Sequence, residues 1–130
     1  MRTGKNFKVS GIGEISKVKR ATLHEELGLT GAEVSVNNLP AGTSIPFVHA
    51  HKQNEEVYII LKGNGQIYID GEEFAVVEGD ILRLDPAASR CVKADGGAPL
   101  SYICVQSRAG SLDAYTETDG ILVEAKPSWL

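Results

Sequence analysis

Between residues 32 and 106, apolar and polar positions succeed one another with the short period of extended chain. Residues 32–37 (Ala-Glu-Val-Ser-Val-Asn) alternate strictly, which predicts a strand with one face buried and the other in water. Residues 55–62 break that rhythm. Val57, Tyr58, Ile59, Ile60 and Leu61 are apolar without interruption, so this strand is expected at the centre of the fold with both faces covered. Gly63-Asn64-Gly65 turns the chain, and residues 66–70 alternate again. Asp70-Gly71 is a two-residue hairpin turn whose positions tolerate positive φ, and residues 73–77 run back. Further strands are predicted at 80–84, 89–93 and 100–106, with a late one at 121–124. The only helical signal is Thr22-Leu23-His24-Glu25, a capping-box pattern stopped by Gly28 after one or two turns. Evenly spaced short strands predict an all-β sandwich or barrel with one short helix near its N-terminus.

Size and charge narrow what this fold does. A chain of 130 residues builds one hydrophobic core, and no repeat, linker or low-complexity stretch supports a second domain, so residues 1–130 are read as one unit. An apolar fraction of 42% against 23% charged residues excludes a disordered chain. Thirteen basic and seventeen acidic residues leave a formal charge of −4, and the cations are scattered, so nucleic acid is not an expected partner. Residues 1–7 carry Arg2 and Lys5 but no apolar run. Neither a secretory signal nor a membrane span is read there, and a cytoplasmic location with no membrane partner is the expectation. Cys91 and Cys104 are accordingly expected as free thiols.

The chemistry is concentrated in His49-Ala50-His51. On extended chain two residues of that spacing project from the same face, so both imidazoles can reach one point. Imidazole is the commonest ligand of borderline divalent metals, and a nearby carboxylate completes the two-histidine, one-carboxylate set of open, reactive centres. Glu55 and Glu56 both offer it. Glu56, Tyr58 and Ile60 share one strand face while Glu55, Val57, Ile59 and Leu61 share the other, and periodicity alone does not say which is inward. The plain alternative is a polar loop of surface histidines beside solvated glutamates. His24 lies on the predicted helix and is read as a surface residue.

The flanking glycines add a second line of argument. Gly42, His49-Ala50-His51, Glu56 after four intervening residues and Gly63 after six more form a pattern that resembles the first motif of the cupin superfamily. That resemblance selects Glu56, the carboxylate standing six intervening residues before the closing glycine. A second motif is degraded: Gly79 and Pro86 match with one extra residue between them, Ala88 stands where a glycine is usual, Cys91 where a fourth ligand histidine is usual, and Asp95 where an asparagine is usual. The two motif regions cover residues 42–63 and 79–95.

The resemblance implies an antiparallel jelly-roll barrel, a double-stranded β-helix, holding one divalent transition metal (Zn, Fe, Mn or Ni) through His49, His51 and Glu56. Cys91 is a further candidate ligand, weighed against a buried structural thiol. Tyr58, Arg83, Arg90 and Tyr102 are candidates to orient an anionic or hydroxylated small-molecule ligand, weighed against solvent-facing arginines and core tyrosines. The superfamily includes isomerases, epimerases, dioxygenases and non-catalytic small-molecule binders, so the expected function is metal-dependent chemistry on a small oxygen-rich substrate, with a sugar-like binding module or a barrel whose main role is homodimer assembly as the alternatives. Cupins commonly pair as homodimers, and the apolar outer row Val57, Ile59 and Leu61 would need such a cover. Pro127-Ser128-Trp129 is a candidate apolar plug for the barrel.

Overall fold

The computed structural model describes residues 1–130. Three short strands come first, β1 (Arg2–Gly4), β2 (Phe7–Val9) and β3 (Arg20–Thr22), followed by the helical turn α1 (His24–Leu27). Seven more strands follow: β4 (Glu33–Leu39), β5 (Asn54–Lys62), β6 (Asn64–Ile69), β7 (Glu72–Val77), β8 (Ile81–Leu84), β9 (Arg90–Ala94) and β10 (Leu100–Arg108). Every pairing is antiparallel.

One sheet has the order β3-β4-β10-β5-β8 and a second the order β7-β6-β9, while β1 and β2 pair only with each other. The two larger sheets share one core. Tyr58, Ile60, Leu84, Leu100, Tyr102 and Cys104 from the first pack with Ile67, Val76, Val92 and Ala94 from the second. Fully burying a large apolar side chain such as Ile67 contributes about 1.5–3 kcal/mol, so this cluster is what closes the barrel.

Strand alternation explains which residues enter it. In β5, Glu56, Tyr58 and Ile60 point inward and are buried, whereas Val57, Ile59 and Leu61 point outward and are only half-buried. The double-faced burial expected for this strand is therefore confined to its inner face. Its central position is as expected, between β10 and β8. Asp70 and Gly71 turn the β6–β7 hairpin at φ values of 49° and 91°, with Ile69 facing Glu72. Gly63 is required for a different reason. At φ +88° it is left-handed, and a Cβ there would overlap the carbonyl of Pro99.

Three expectations are corrected. The capping box at Thr22 does not form: Thr22 ends β3, and the first N–H groups of the helical turn are satisfied by Glu33 of β4, whose Oε1 accepts from Leu23 N at 3.0 Å and His24 N at 3.1 Å. A carboxylate reaching across from the next strand has replaced the local cap. Gly28 does stop the turn in the left-handed conformation. No strand forms at 121–124: these residues pair with neither sheet, and Ile121, Leu122 and Val123 are exposed. Trp129 does not plug the barrel and is 83% exposed. No helix is long and apolar enough to cross a membrane.

Candidate metal centre

The His-x-His segment is extended and strapped to the second sheet. His49 and Arg90 exchange both backbone hydrogen bonds, His49 N to Arg90 O at 3.2 Å and Arg90 N to His49 O at 2.9 Å, and His51 N donates to Pro86 O at 2.8 Å. Residues directly opposite in an antiparallel pair project to the same side, so this bridge aims both the His49 ring and the Arg90 side chain into the barrel. His51, two residues on, joins them, and the two rings meet edge to face with centroids 5.2 Å apart.

Glu56 arrives from the inner face of β5. Its Oε1 lies 3.5 Å from His51 Nε2 and 3.9 Å from His49 Nε2, and one ligand atom from each of the three residues falls within 4.8 Å of the others. Glu55 faces outward on the same strand and takes no part. Five side-chain atoms here are buried without any hydrogen-bond partner: His49 Nδ1, His51 Nε2, Glu56 Oε1, and Nε and Nη1 of the neighbouring Arg90. Buried polar atoms are almost always satisfied, and convergent nitrogen and oxygen donors left free in one place fit a divalent transition metal.

The residues around this cluster differ from the expected set in an instructive way. Arg90 is 1% exposed; its Nη1 lies 3.2 Å from Glu56 Oε1 and its Nη2 donates to Asp85 O at 2.7 Å. Cys91, one residue along β9, faces the other way, and its thiol donates to Ile45 O at 3.2 Å, outside the metal-binding group. Arg83 sits on the outer face of β8, opposite Val57, and pairs with Asp85 at 3.0 Å away from the cluster. Tyr58 and Tyr102 are side by side on the inner face, ring centroids 5.3 Å apart.

Cys104 was not singled out by its sequence context. It lies opposite Tyr58 on β10, and its thiol donates to Glu56 Oε2 at 3.0 Å. The signal that could have found it is the alternation of Tyr102, Cys104 and Gln106, which places all three on the strand face that Glu56 shares. Arg20, on the three-residue β3, and Lys19 just before it carry no alternation from which their place could be read.

His49, Glu56, Tyr58, Tyr102, Cys104 and Arg20 line a cavity of about 220 Å³, together with Ser35, Asn37 and Phe47. Burial lowers the pKa of His49, an effect that the charge of Glu56 opposes and that of Arg90 reinforces, so the imidazole is held in the neutral form that ligates metals. Burial pushes the Tyr102 hydroxyl up to about 12 and raises Tyr58 further, the nearby Glu56 charge adding to it. Burial and then the hydrogen bond to Glu56 likewise push the Cys104 thiol up, which keeps it a neutral donor.

Comparison with known proteins places this architecture. The cupin domain family matches residues 35–106, more than half of the chain. A crystal structure of a cupin protein from Bacteroides fragilis is 48% identical, covers 92% of this chain and 99% of that one, and superposes with a TM-score of 0.87. A sugar phosphate isomerase of the cupin superfamily from Silicibacter pomeroyi shares the fold at 21% identity and a TM-score of 0.59, over 69% of this chain and 60% of its own. The oxalate-binding protein of Thermotoga maritima is 30% identical over 52% of this chain and 54% of its own. An uncharacterised protein of Methanocaldococcus jannaschii is 33% identical over 51% and 52%. The match thus spans about half the length of these last two relatives. The matched residues run from Ser35 of β4 to Gln106 of β10 and enclose both histidines, Glu56 and the whole shared core: the chain belongs to the cupin family.

Proposed function

We propose that this protein is a metal-binding cupin that acts on a small, oxygen-rich substrate at one divalent transition metal held by His49, His51 and Glu56. The observation that carries this reading is that one ligand atom from each of His49, His51 and Glu56 falls within 4.8 Å of the others, with His51 Nε2 and Glu56 Oε1 buried and lacking any hydrogen-bond partner. Three protein ligands leave coordination positions open, the arrangement of catalytic rather than structural centres. A divalent ion in such a centre acts as a Lewis acid on a carbonyl or hydroxyl oxygen.

The remaining side chains suit a polar guest. Ser35, Asn37 and the Tyr58 and Tyr102 hydroxyls line the cavity and offer hydrogen bonds, while Phe47 and Ile45 provide an apolar wall. A cavity of about 220 Å³ suits a small guest. Isomerisation or oxygen chemistry on such a substrate is the proposed reaction class. Pure ligand binding is the second reading, and the Thermotoga maritima relative that is an oxalate-binding protein favours it. The chain is further proposed to pair as a homodimer, covering the outward Val57 and Ile59; light scattering should give twice the 13.9 kDa chain mass.

Elemental analysis tests the metal. Purified or reloaded protein should carry about one equivalent of a transition metal, and His49→Ala and His51→Ala should each lose it. Wild-type protein that stays below about a tenth of an equivalent after loading would end this reading.

A further inference from the structure

The charges around the centre do not balance once a metal is bound, and the imbalance identifies the guest. Of the three donors only Glu56 is anionic, since both imidazoles bind metals in neutral form. Its charge is already matched by Arg90, a guanidinium that is 1% exposed and lies 3.2 Å from Glu56 Oε1. The protein's own charges therefore cancel before any ion arrives, and a divalent cation adds two positive charges that nothing nearby offsets. Glu33, the other acidic residue at the cavity, is engaged elsewhere: it caps the helical turn and contacts His24 Nδ1. Lys19 and Arg20 line the same cavity and add positive charge, and Arg20 makes no ion pair. Uncompensated charge in a partly desolvated site is costly unless it is paired.

We propose, resting on the metal reading above, that the guest is a small dianion, a dicarboxylate or a phosphate monoester, whose binding and that of the metal reinforce each other, with Arg20 the cation that selects it. A monoanion leaves the centre with one excess positive charge and a neutral polyol leaves two. Arg20 stands on β3 opposite Asn37, whose strand lines the cavity. It lines the same cavity as His49, Glu56 and Tyr102. Reciprocity follows from linkage: an anion that tightens the metal is itself tightened by the metal to the same degree.

The test is a Co²⁺ titration of metal-free protein, followed by the visible absorption of the bound ion at buffered free Co²⁺, in chloride alone and with malonate, inorganic phosphate, acetate or glycerol. Malonate or phosphate should tighten Co²⁺ by about tenfold or more, within the usual range of coupling between two sites, and acetate and glycerol should do much less. The larger of the two dianion responses identifies the source as dicarboxylate or phosphate. Arg20→Gln, an exposed position that does not endanger folding, should lose most of the enhancement measured against its own chloride affinity. If Co²⁺ binds in a His49-dependent way and no dianion changes its affinity or spectrum, the dianion proposal falls and the metal centre stands. An equal response to glycerol or acetate overturns it as well. If Co²⁺ binds under none of these conditions, both fall together.

Discussion

Arg90 Nη1 lies 3.2 Å from Glu56 Oε1 with the arginine 1% and the glutamate 4% exposed, so each is the other's counter-charge in a largely buried place. Removing one partner strands the other, whereas removing both leaves only a packing change. Arg90→Met and Glu56→Gln should each cost about 3–5 kcal/mol in urea unfolding of the metal-free protein, and the double variant clearly less than the sum. Additive losses would mean that the two charges do not interact.

The two thiols should behave differently. Cys91 is half-buried and directed at Ile45 O, so Cys91→Ala should leave metal affinity within about twofold of wild type, a difference below 0.5 kcal/mol. Cys104→Ala should lower stability by about 1–3 kcal/mol, because it removes a buried donor from Glu56 Oε2. A thiol reagent should also label Cys91 before Cys104, readily followed by mass spectrometry. Loss of metal on Cys91→Ala would place its sulfur among the ligands.

Two glycines should rank by the room around them. Gly63→Ala forces a Cβ into the Pro99 carbonyl at a left-handed position, and the expected loss exceeds about 2 kcal/mol. Gly71→Ala has open space and only the conformational penalty of φ +91°, about 1 kcal/mol. Thermal unfolding of both variants gives the comparison, and equal losses would remove the steric argument.

Alkaline pH should unfold the protein through its paired tyrosines. Tyr102 is pushed up to about 12 by burial, and Tyr58 is raised further. In the unfolded chain both lose their protons near the ordinary value of about 10. Above that pH the folded state holds more protons than the unfolded one, so stability falls as pH rises; the contribution is complete below about pH 10 and, for Tyr102, is lost as pH passes about 12. Phenolate absorbance from these two residues should appear together with the loss of circular dichroism. Their complete ionisation in native protein near pH 10 would contradict the burial assigned to them.

Much of this molecule was legible because alternation is a local signal. Residues 32–106 gave strands whose ends lie within two residues of β4 to β10, and the spacing of His49, His51, Glu56 and Gly63 anticipated residues that meet in space. What failed was non-local. Three-residue strands such as β3 are held by the neighbour they pair with, here Asn37, Val36 and Ser35, and leave no periodic trace of their own. Residues 121–124 have strand composition but pair with neither sheet, and composition alone does not supply a partner. Cys91 was aligned with a ligand position by counting along the chain, whereas the side on which a β9 residue projects is fixed by its bridge to His49, which selects Arg90.

That bridge has a consequence for how such centres diverge. The turn between Pro86 and Ser89, with Ala87 exposed and Ala88 buried, sets where β9 begins. Shortening it by one would slide β9 past His49 and bring the sulfur of Cys91 inward in place of the Arg90 guanidinium. A centre with a buried guanidinium beside its carboxylate would become one with a soft fourth donor, with no substitution at any ligand. In this barrel the distance between two chemistries is one peptide unit of loop.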